Sequence, residues 1–260
     1  KEGLVSFFKY NYIPAPASIY ENVYKLQPGH IIQFNLSIGI KKTEKQKPYW
    51  SYSELIKLAK DNQFTNVHEA HQSLEESLEN SVRSQTISDV PLGAFLSGGV
   101  DSSLIVALMQ KNSITPTKTF TIGFNEDDHN EAPYALAVAN HLGTDHQEMI
   151  IDEKDALNAI LQMPEIYDEP FADSSQIPTY LVSKMTKEHV TVALSGDGAD
   201  ELLGGYNRYT HTPSIWSKIS LLPFPLRKIL AQPFLLLSPA AYDAIGSKIF
   251  SKNQIPQLGS

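Results

Sequence analysis

Between Asn66 and Leu194 short apolar runs alternate with longer segments of helical period, and this alternation limits the possible folds more than any other feature. Asn66, with Glu69 three residues later, resembles a capping arrangement that opens a helix reaching about Gln85. Leu92–Leu96 then reads as a strand, Ser102–Lys111 as a helix and Thr119–Phe124 as a strand. Asn130–His141 (helix), His146–Ile151 (strand), Asp152–Met163 and Ser175–Glu188 (helices) and Val190–Leu194 (strand) complete the series. Strands joined through helices of ten or more residues pair in parallel, since the connection must cross over a sheet face. The expected fold class is α/β, a parallel twisted sheet flanked by helices and spanning residues 66–210.

The flanks read differently. In residues 1–50, Pro14, Pro16, Pro28 and Gly29 punctuate short runs, and His30–Leu36 with Ile40–Lys47 suggest a hairpin turning at Ser37-Ile38-Gly39. This stretch is expected to be a β-rich remnant of a preceding domain. Residues 51–65 are polar and read as a linker with helical character at its start. Residues 211–260 are apolar and interrupted by proline, a helical continuation without a recognisable site. Lys1 opens the chain in mid-pattern, so the 260 residues are expected to be a piece of something longer.

Composition removes several function classes. A formal charge of -8 argues against a nucleic-acid groove, which needs a basic footprint. The 42% hydrophobic and 10% aromatic content is enough for a packed core. The absence of cysteine excludes disulfides, thiolate zinc sites and thiol nucleophiles, and fits a cytoplasmic setting. The apolar run Phe234–Leu237 is bounded by Pro233 and Ser238, too short to span a bilayer.

Two glycine-rich loops carry the chemistry. Leu96-Ser97-Gly98-Gly99-Val100-Asp101-Ser102-Ser103 leaves a strand and enters a helix, a geometry that presents bare amides and the helix dipole to an anion. Gly98 and Gly99 permit close approach of phosphate, and Ser97, Ser102 and Ser103 add hydroxyl donors. Asp101 would repel phosphate unless a divalent cation lies between them, so it is a magnesium candidate. The second loop, Ser195-Gly196-Asp197-Gly198-Ala199-Asp200-Glu201, again follows a strand and places three carboxylates in five residues. Both loops sit at strand carboxyl ends, so Asp101 and Asp200 can share a metal. No Walker loop or GxGxxG motif occurs. Read singly, the first loop is also compatible with a serine-capped turn and the second with a solvated acidic turn. His68 and His71 read as surface residues, and Tyr206, Tyr209 and Trp216 as core or interdomain packing.

Together the loops resemble the synthetase domain of glutamine-hydrolysing asparagine synthetases, within the ATP-pyrophosphatase (PP-loop) superfamily. Leu96–Ser103 is similar to that family's pyrophosphate loop and Ser195–Tyr206 to its second signature. Asp89-Val90-Pro91-Leu92-Gly93, Phe120-Thr121-Ile122-Gly123-Phe124 and Asp168–Ser175 resemble the segments around them. Tyr12-Ile13-Pro14-Ala15-Pro16 and Lys25–His30 resemble the end of the family's glutaminase domain. The resemblance implies an adenine nucleotide α-hydrolase sheet that binds ATP and Mg²⁺. A carboxylate, most simply that of the aspartate side chain, is adenylated, and ammonia then displaces AMP to give asparagine.

By the same resemblance Leu96, Ile122 and Gly123 flank the nucleotide, with Ser195 and Gly196 beside them. Asp101 and Asp200 hold magnesium, and Asp197 handles the acceptor or the ammonia. A homodimer of the full-length protein is also implied. Two alternatives stay open: a relative that activates another carboxylate, and a non-catalytic nucleotide-binding module. The family's phosphate-neutralising lysine lies downstream of the second loop, and neither Lys218 nor Arg227 stands in its motif, so this chain is expected to be incomplete for synthesis. The family's glutaminase uses an N-terminal cysteine nucleophile. With no sulfur nucleophile, the purified chain is expected to release no glutamate from glutamine above a contaminant control; steady release would overturn this.

Overall fold

Proline spacing governs the start of the chain, because Pro14, Pro16 and Pro28 have no amide to donate to a strand ladder. The computed structural model describes residues 2–34, 45–125 and 130–236. Its first element is a helix, α1 (Glu2–Tyr10), followed by irregular chain. A Cβ added at the buried Gly3 would lie 2.6 Å from Ser18 O, so α1 packs directly on the returning backbone. β1 (His30–Ile31) and β2 (Lys47–Pro48) pair antiparallel, His30 opposite Pro48 and Ile31 opposite Lys47. The β-rich reading of residues 1–50 is thereby corrected: among the described residues there, helix and irregular chain outweigh four strand residues. The hairpin tip at Ser37-Ile38-Gly39 lies outside the described residues.

The expected linker holds α2 (Tyr52–Asp61), none of whose residues is buried. α3 (Val67–Gln85) starts as its sequence indicates, with Asn66 Oδ1 accepting the His68 N–H at 2.9 Å. The alternating series then follows as β3 (Leu92–Phe95), α4 (Val100–Lys111), β4 (Lys118–Phe124), α5 (Ala132–Leu142) and β5 (Asp145–Ile151). After α6 (Glu153–Ile160) and the single turn α7 (Met163–Ile166) come α8 (Gln176–Thr186) and β6 (Val192–Leu194). The single helix expected over Asp152–Met163 ends at Ile160. A second helix then opens at Met163, with Pro164 in its first turn, where a missing amide costs nothing.

The four main strands form one parallel sheet in the order β5-β4-β3-β6. Period-two alternation assigns its faces. On one face Ala94 and Leu96 pack with Val82 of α3, Val106 and Met109 of α4, and Ala135 and Ala139 of α5. On the other, Phe120, fully buried, packs with Val182 and Met185 of α8 and stacks on the His189 ring at 5.7 Å. The small residues Ala135 and Ala139 let α5 approach the sheet closely. Gly123 serves the same end, since a Cβ there would sit 2.9 Å from that of Ala132 and 2.8 Å from Ile150 Cδ1.

The chain divides into two compact units, residues 1–195 and 196–260. The second unit is helical among its described residues: α9 (Ala199–Leu203), α10 (Asn207–Ile219) and α11 (Phe224–Leu236). Leu221, Phe224 and Ile229 are exposed there, as expected for apolar positions without partners. Tyr209 and Trp216, read as core or interdomain packing, are exposed and so lie outside a core. Their rings instead lie beside cations, Arg208 near Tyr209 and Arg227 over Trp216. Among the described residues no helix is long and apolar enough to cross a membrane.

One polar group of the sheet has a pH consequence. Thr119 is wholly buried, and its Oγ1 lies 2.9 Å from both Thr144 Oγ1 and His146 Nδ1. Nε2 of His146 is buried without a partner. Burial holds the imidazole below its ordinary pKa, against the opposing charge of Glu148. Below about pH 6.5 the unfolded chain takes up a proton that the folded chain resists. The contribution is therefore present above that pH and lost on acidification through the lowered value. Urea midpoints at pH 8 and pH 5.5 should fall further for the wild type than for His146→Gln. Equal losses would remove His146 from the pH dependence.

Candidate nucleotide site

Leu96 closes the last ladder hydrogen bond of β3, its N–H donating to Phe120 O at 2.9 Å, and its side chain is 1% exposed. Within three residues the chain must turn off the sheet and begin α4. Gly98 makes the turn at φ 79°, a region that residues with a Cβ avoid. A Cβ on Gly98 would also lie 2.7 Å from Tyr134 Cβ and 2.7 Å from Ala135 N, so the first turn of α5 closes over the loop. Gly99 is the N-cap of α4 and offers no capping side chain. The first free amide group inside the helix to find a backbone acceptor is that of Ser103, bonded to Gly99 O at 3.0 Å. The amides before it, in Val100, Asp101 and Ser102, are the ones an α-helix leaves without intrahelical partners.

The serines brace this turn. Ser97 Oγ and Ser102 Oγ lie 2.9 Å apart, the Ser97 N–H donates to Ser102 Oγ at 3.2 Å, and the Gly99 N–H donates to Ser97 Oγ at 3.3 Å. Ser103 Oγ is buried and has no hydrogen-bond partner. A buried hydroxyl without a protein partner is of the chemical type that can donate to an anion. Asp101, in the first helical turn, is partly buried.

Ile122 and Gly123 end β4 beside this loop, and Ser195 follows β6, the other neighbour of β3. From β3 the chain moves outward through β4 to β5, then returns to the opposite side of β3 to form β6. The carboxyl ends of β3 and β6, paired at Ala94 and Leu194, thus flank the point where the strand order reverses. Open α/β sheets bind their ligands at such a crevice. The structure therefore brings Leu96–Ser103 and Ser195 to one edge of the sheet. The side chain of Leu96 is committed to the core, which leaves only its backbone for a ligand.

Gly196, Asp197 and Asp200 belong to the second unit. There Gly198, at φ 89°, opens α9 and Gly204, at φ 72°, closes it. The Gly205 N–H returns to Asp200 O at 3.0 Å, and Gly205 approaches the Asp200 carboxylate so closely that any Cβ would collide with it. Asp200 is partly buried and Asp197 exposed. Glu201 accepts a 2.8 Å hydrogen bond from the Tyr206 hydroxyl. That bond, with the Asp200 charge adding to it, holds the Tyr206 phenol above its ordinary pKa. The third carboxylate of the loop is therefore structural, a division of labour that the sequence does not show.

Among the described residues no group of three or more His, Asp or Glu could hold a metal ion. Magnesium does not require one: it commonly takes one or two carboxylates, with phosphate oxygens and water completing the shell. Asp101, at the start of α4, is of the right chemical type; Asp200, in the second unit, is a carboxylate of the same kind. Substituting Gly98 tests whether the turn is the element on which the site depends. Gly98→Ala should lose about 1–3 kcal/mol of stability, from the positive φ together with the contact on α5. Urea denaturation of the variant measures it. A loss no larger than that of Gly143→Ala, where φ is 70° but nothing lies within 4 Å, would show that closure by α5 is unimportant.

Residues 73–256 match the asparagine synthase family. A putative glutamine-hydrolysing asparagine synthetase 2 of Methanocaldococcus jannaschii is 37% identical over 79% of this chain and 38% of its own length. The glutamine-hydrolysing asparagine synthetase 1 of Bacillus subtilis is 35% identical over 88% of this chain and 34% of its own. The chain thus spans little more than a third of these relatives. Among solved structures, the NMN synthetase of Francisella tularensis is similar over 53% of this chain and 59% of its own, with 16% identity and a TM-score of 0.38. From the family match across both glycine-rich loops, the chain belongs to the asparagine synthase family.

Proposed function

We propose that this chain is the ATP-using part of an amide-forming synthetase that adenylates the side-chain carboxylate of aspartate and transfers ammonia to it. The observation that carries the reading is the β3–Gly98–α4 turn, with its open amides and the orphaned Ser103 hydroxyl. Family membership and the names of the two relatives support the choice of aspartate.

The chemistry follows from the residues. A carboxylate resists attack by ammonia because its leaving group would be oxide. Attack by its oxygen on the α-phosphorus of ATP forms a C–O–P link, while the bond from the α-phosphorus to the bridging oxygen breaks and releases pyrophosphate. The Val100, Asp101 and Ser102 amides, the α4 dipole and the Ser97, Ser102 and Ser103 hydroxyls stabilise the charge that grows on this leaving group. By the family resemblance Asp101 and Asp200 are each magnesium candidates, and the ion would supply countercharge for the phosphates. Ammonia then attacks the activated carbonyl, a proton leaves, and AMP departs with the oxygen it received. Asp197, exposed on the acidic loop, is the group we assign to the acceptor or the incoming ammonia. Leu96, through its backbone, with Ile122, Gly123, Ser195 and Gly196, would flank the nucleotide. In the whole protein the ammonia comes from glutamine, the setting is the cytoplasm and the assembly is a homodimer, all on the family resemblance.

Calorimetric titration with ATP–Mg²⁺ tests the site without requiring turnover. Asp101→Asn should weaken metal-dependent binding by about tenfold or more, the order expected for losing one charged metal ligand. Asp155→Asn should bind as the wild type does, because Asp155 lies in a capping box with Asp152 at the start of α6. Equal affinities for the two variants would remove Asp101 from the site.

A further inference from the structure

The loop from Asp168 to Ser175 leads into α8, whose C-terminus leads on to β6, so its tip lies toward the carboxyl end of the sheet. Yet this loop takes its principal hydrogen bonds to the rest of the unit from residues 11–25, far away in sequence. Glu169 splits its carboxylate between two partners: Oε1 accepts the Ile19 N–H at 2.8 Å, and Oε2 forms an ion pair with Lys25. The side chain of Glu169 is only 16% exposed. Lys25 Nζ also donates to Ile13 O at 2.6 Å, beside the buried Ile13 side chain. Two further bonds repeat the connection, Ala172 N–H to Asn11 O at 2.7 Å and the Tyr20 hydroxyl to Asp168 O at 3.1 Å.

We infer that Glu169 is a positioning residue, a latch through which residues 11–25 fix the Asp168–Ser175 loop at the edge of the sheet where the acceptor carboxylate binds. The physical grounds are burial and multiplicity. A carboxylate this enclosed is costly unless charge and hydrogen bonds meet both oxygens, and here both are met by one distant segment. The loop has no strand of its own to hold it, and its tip, Asp173 to Ser175, is exposed. Asp173 and Ser175 order only the local turn, the Ser175 N–H donating to Asp173 Oδ1 at 2.8 Å. The segment that resembles the end of a preceding domain therefore sets the conformation of a loop in the synthetase sheet, and a displacement of residues 11–25 reaches the acceptor side without passing through the nucleotide loop. That an acceptor carboxylate is used rests on the proposed function, and its place at this edge is part of the present inference; the latch itself depends on neither.

Two measurements on the full chain separate these claims. Hydrogen exchange at the Ile19 and Ala172 amides should quicken roughly tenfold or more in Glu169→Ala, while amides of β4 keep wild-type rates, as expected for local rather than global opening. Glu169→Gln keeps an acceptor for Ile19 but loses the ion pair, and Lys25→Met loses the ion pair from the other side; both should fall between. Unchanged exchange at Ile19 and Ala172, or an equal rise throughout β4, overturns the latch. In calorimetry with a non-hydrolysable ATP analogue and Mg²⁺ present, aspartate affinity should drop by about tenfold in Glu169→Ala while analogue affinity stays within about twofold, a split that general destabilisation would not give. A parallel loss of both affinities overturns the positioning role. If the wild type takes no aspartate at all, the acceptor assignment fails, and exchange alone then decides the latch.

Discussion

A strand buried on both faces cannot curl gradually into a helix, because every intermediate residue would leave amide and carbonyl groups unpaired inside the core. After Leu96 the chain solves this in three residues, and Gly98 is the one that reverses it. Much else follows from that turn. α4 begins at Val100 with no capping side chain, so its first amides stay open, and α5 can lay its first turn against the loop only because Gly98 has no Cβ. The open amides at the head of α4 and the close packing of α5 on the sheet are two consequences of one backbone requirement.

The reversal of strand order around β3 gives that turn its neighbours. β4 leaves β3 on one side and β6 joins it on the other, so the chain following each of β3, β4 and β6 emerges at a common edge. Gly123, which looks like a nucleotide contact in the motif, has a packing reason as well, since α5 and Ile150 occupy the space its side chain would need. In the acidic loop, burial and hydrogen bonding separate three carboxylates of similar appearance. Glu201 is engaged by Tyr206, Asp200 is partly buried against Gly205, and Asp197 is exposed.

The N-terminal segment shows how a few polar contacts can take the place of a ladder. Residues 11–29 hold no strand, and their prolines prevent one. Lys25, the Tyr20 hydroxyl and the backbone groups of Asn11 and Ile19 nevertheless reach the Asp168–Ala172 loop through four bonds.

The sequence by itself determined the class of fold, the two loops and the family. Each depends on local chemistry: periods of two and 3.6, a capping Asn66, and Gly98 and Gly99 placed between an apolar run and a helix. Helix ends followed the same local rules, as at Val67, where Asn66 caps the first turn. Among the described residues of 1–50 helix and irregular chain stand where strands were expected, because prolines and glycines punctuate irregular chain and hairpins alike, and α1 is held by its contact at Ser18. Tertiary structure alone decided that Glu169 meets Ile19 and Lys25, that Ser103 Oγ is buried without a partner and that Gly98 lies under Tyr134. These facts depend on residues tens to 150 positions apart being brought within a few ångströms, and no local pattern records such distances.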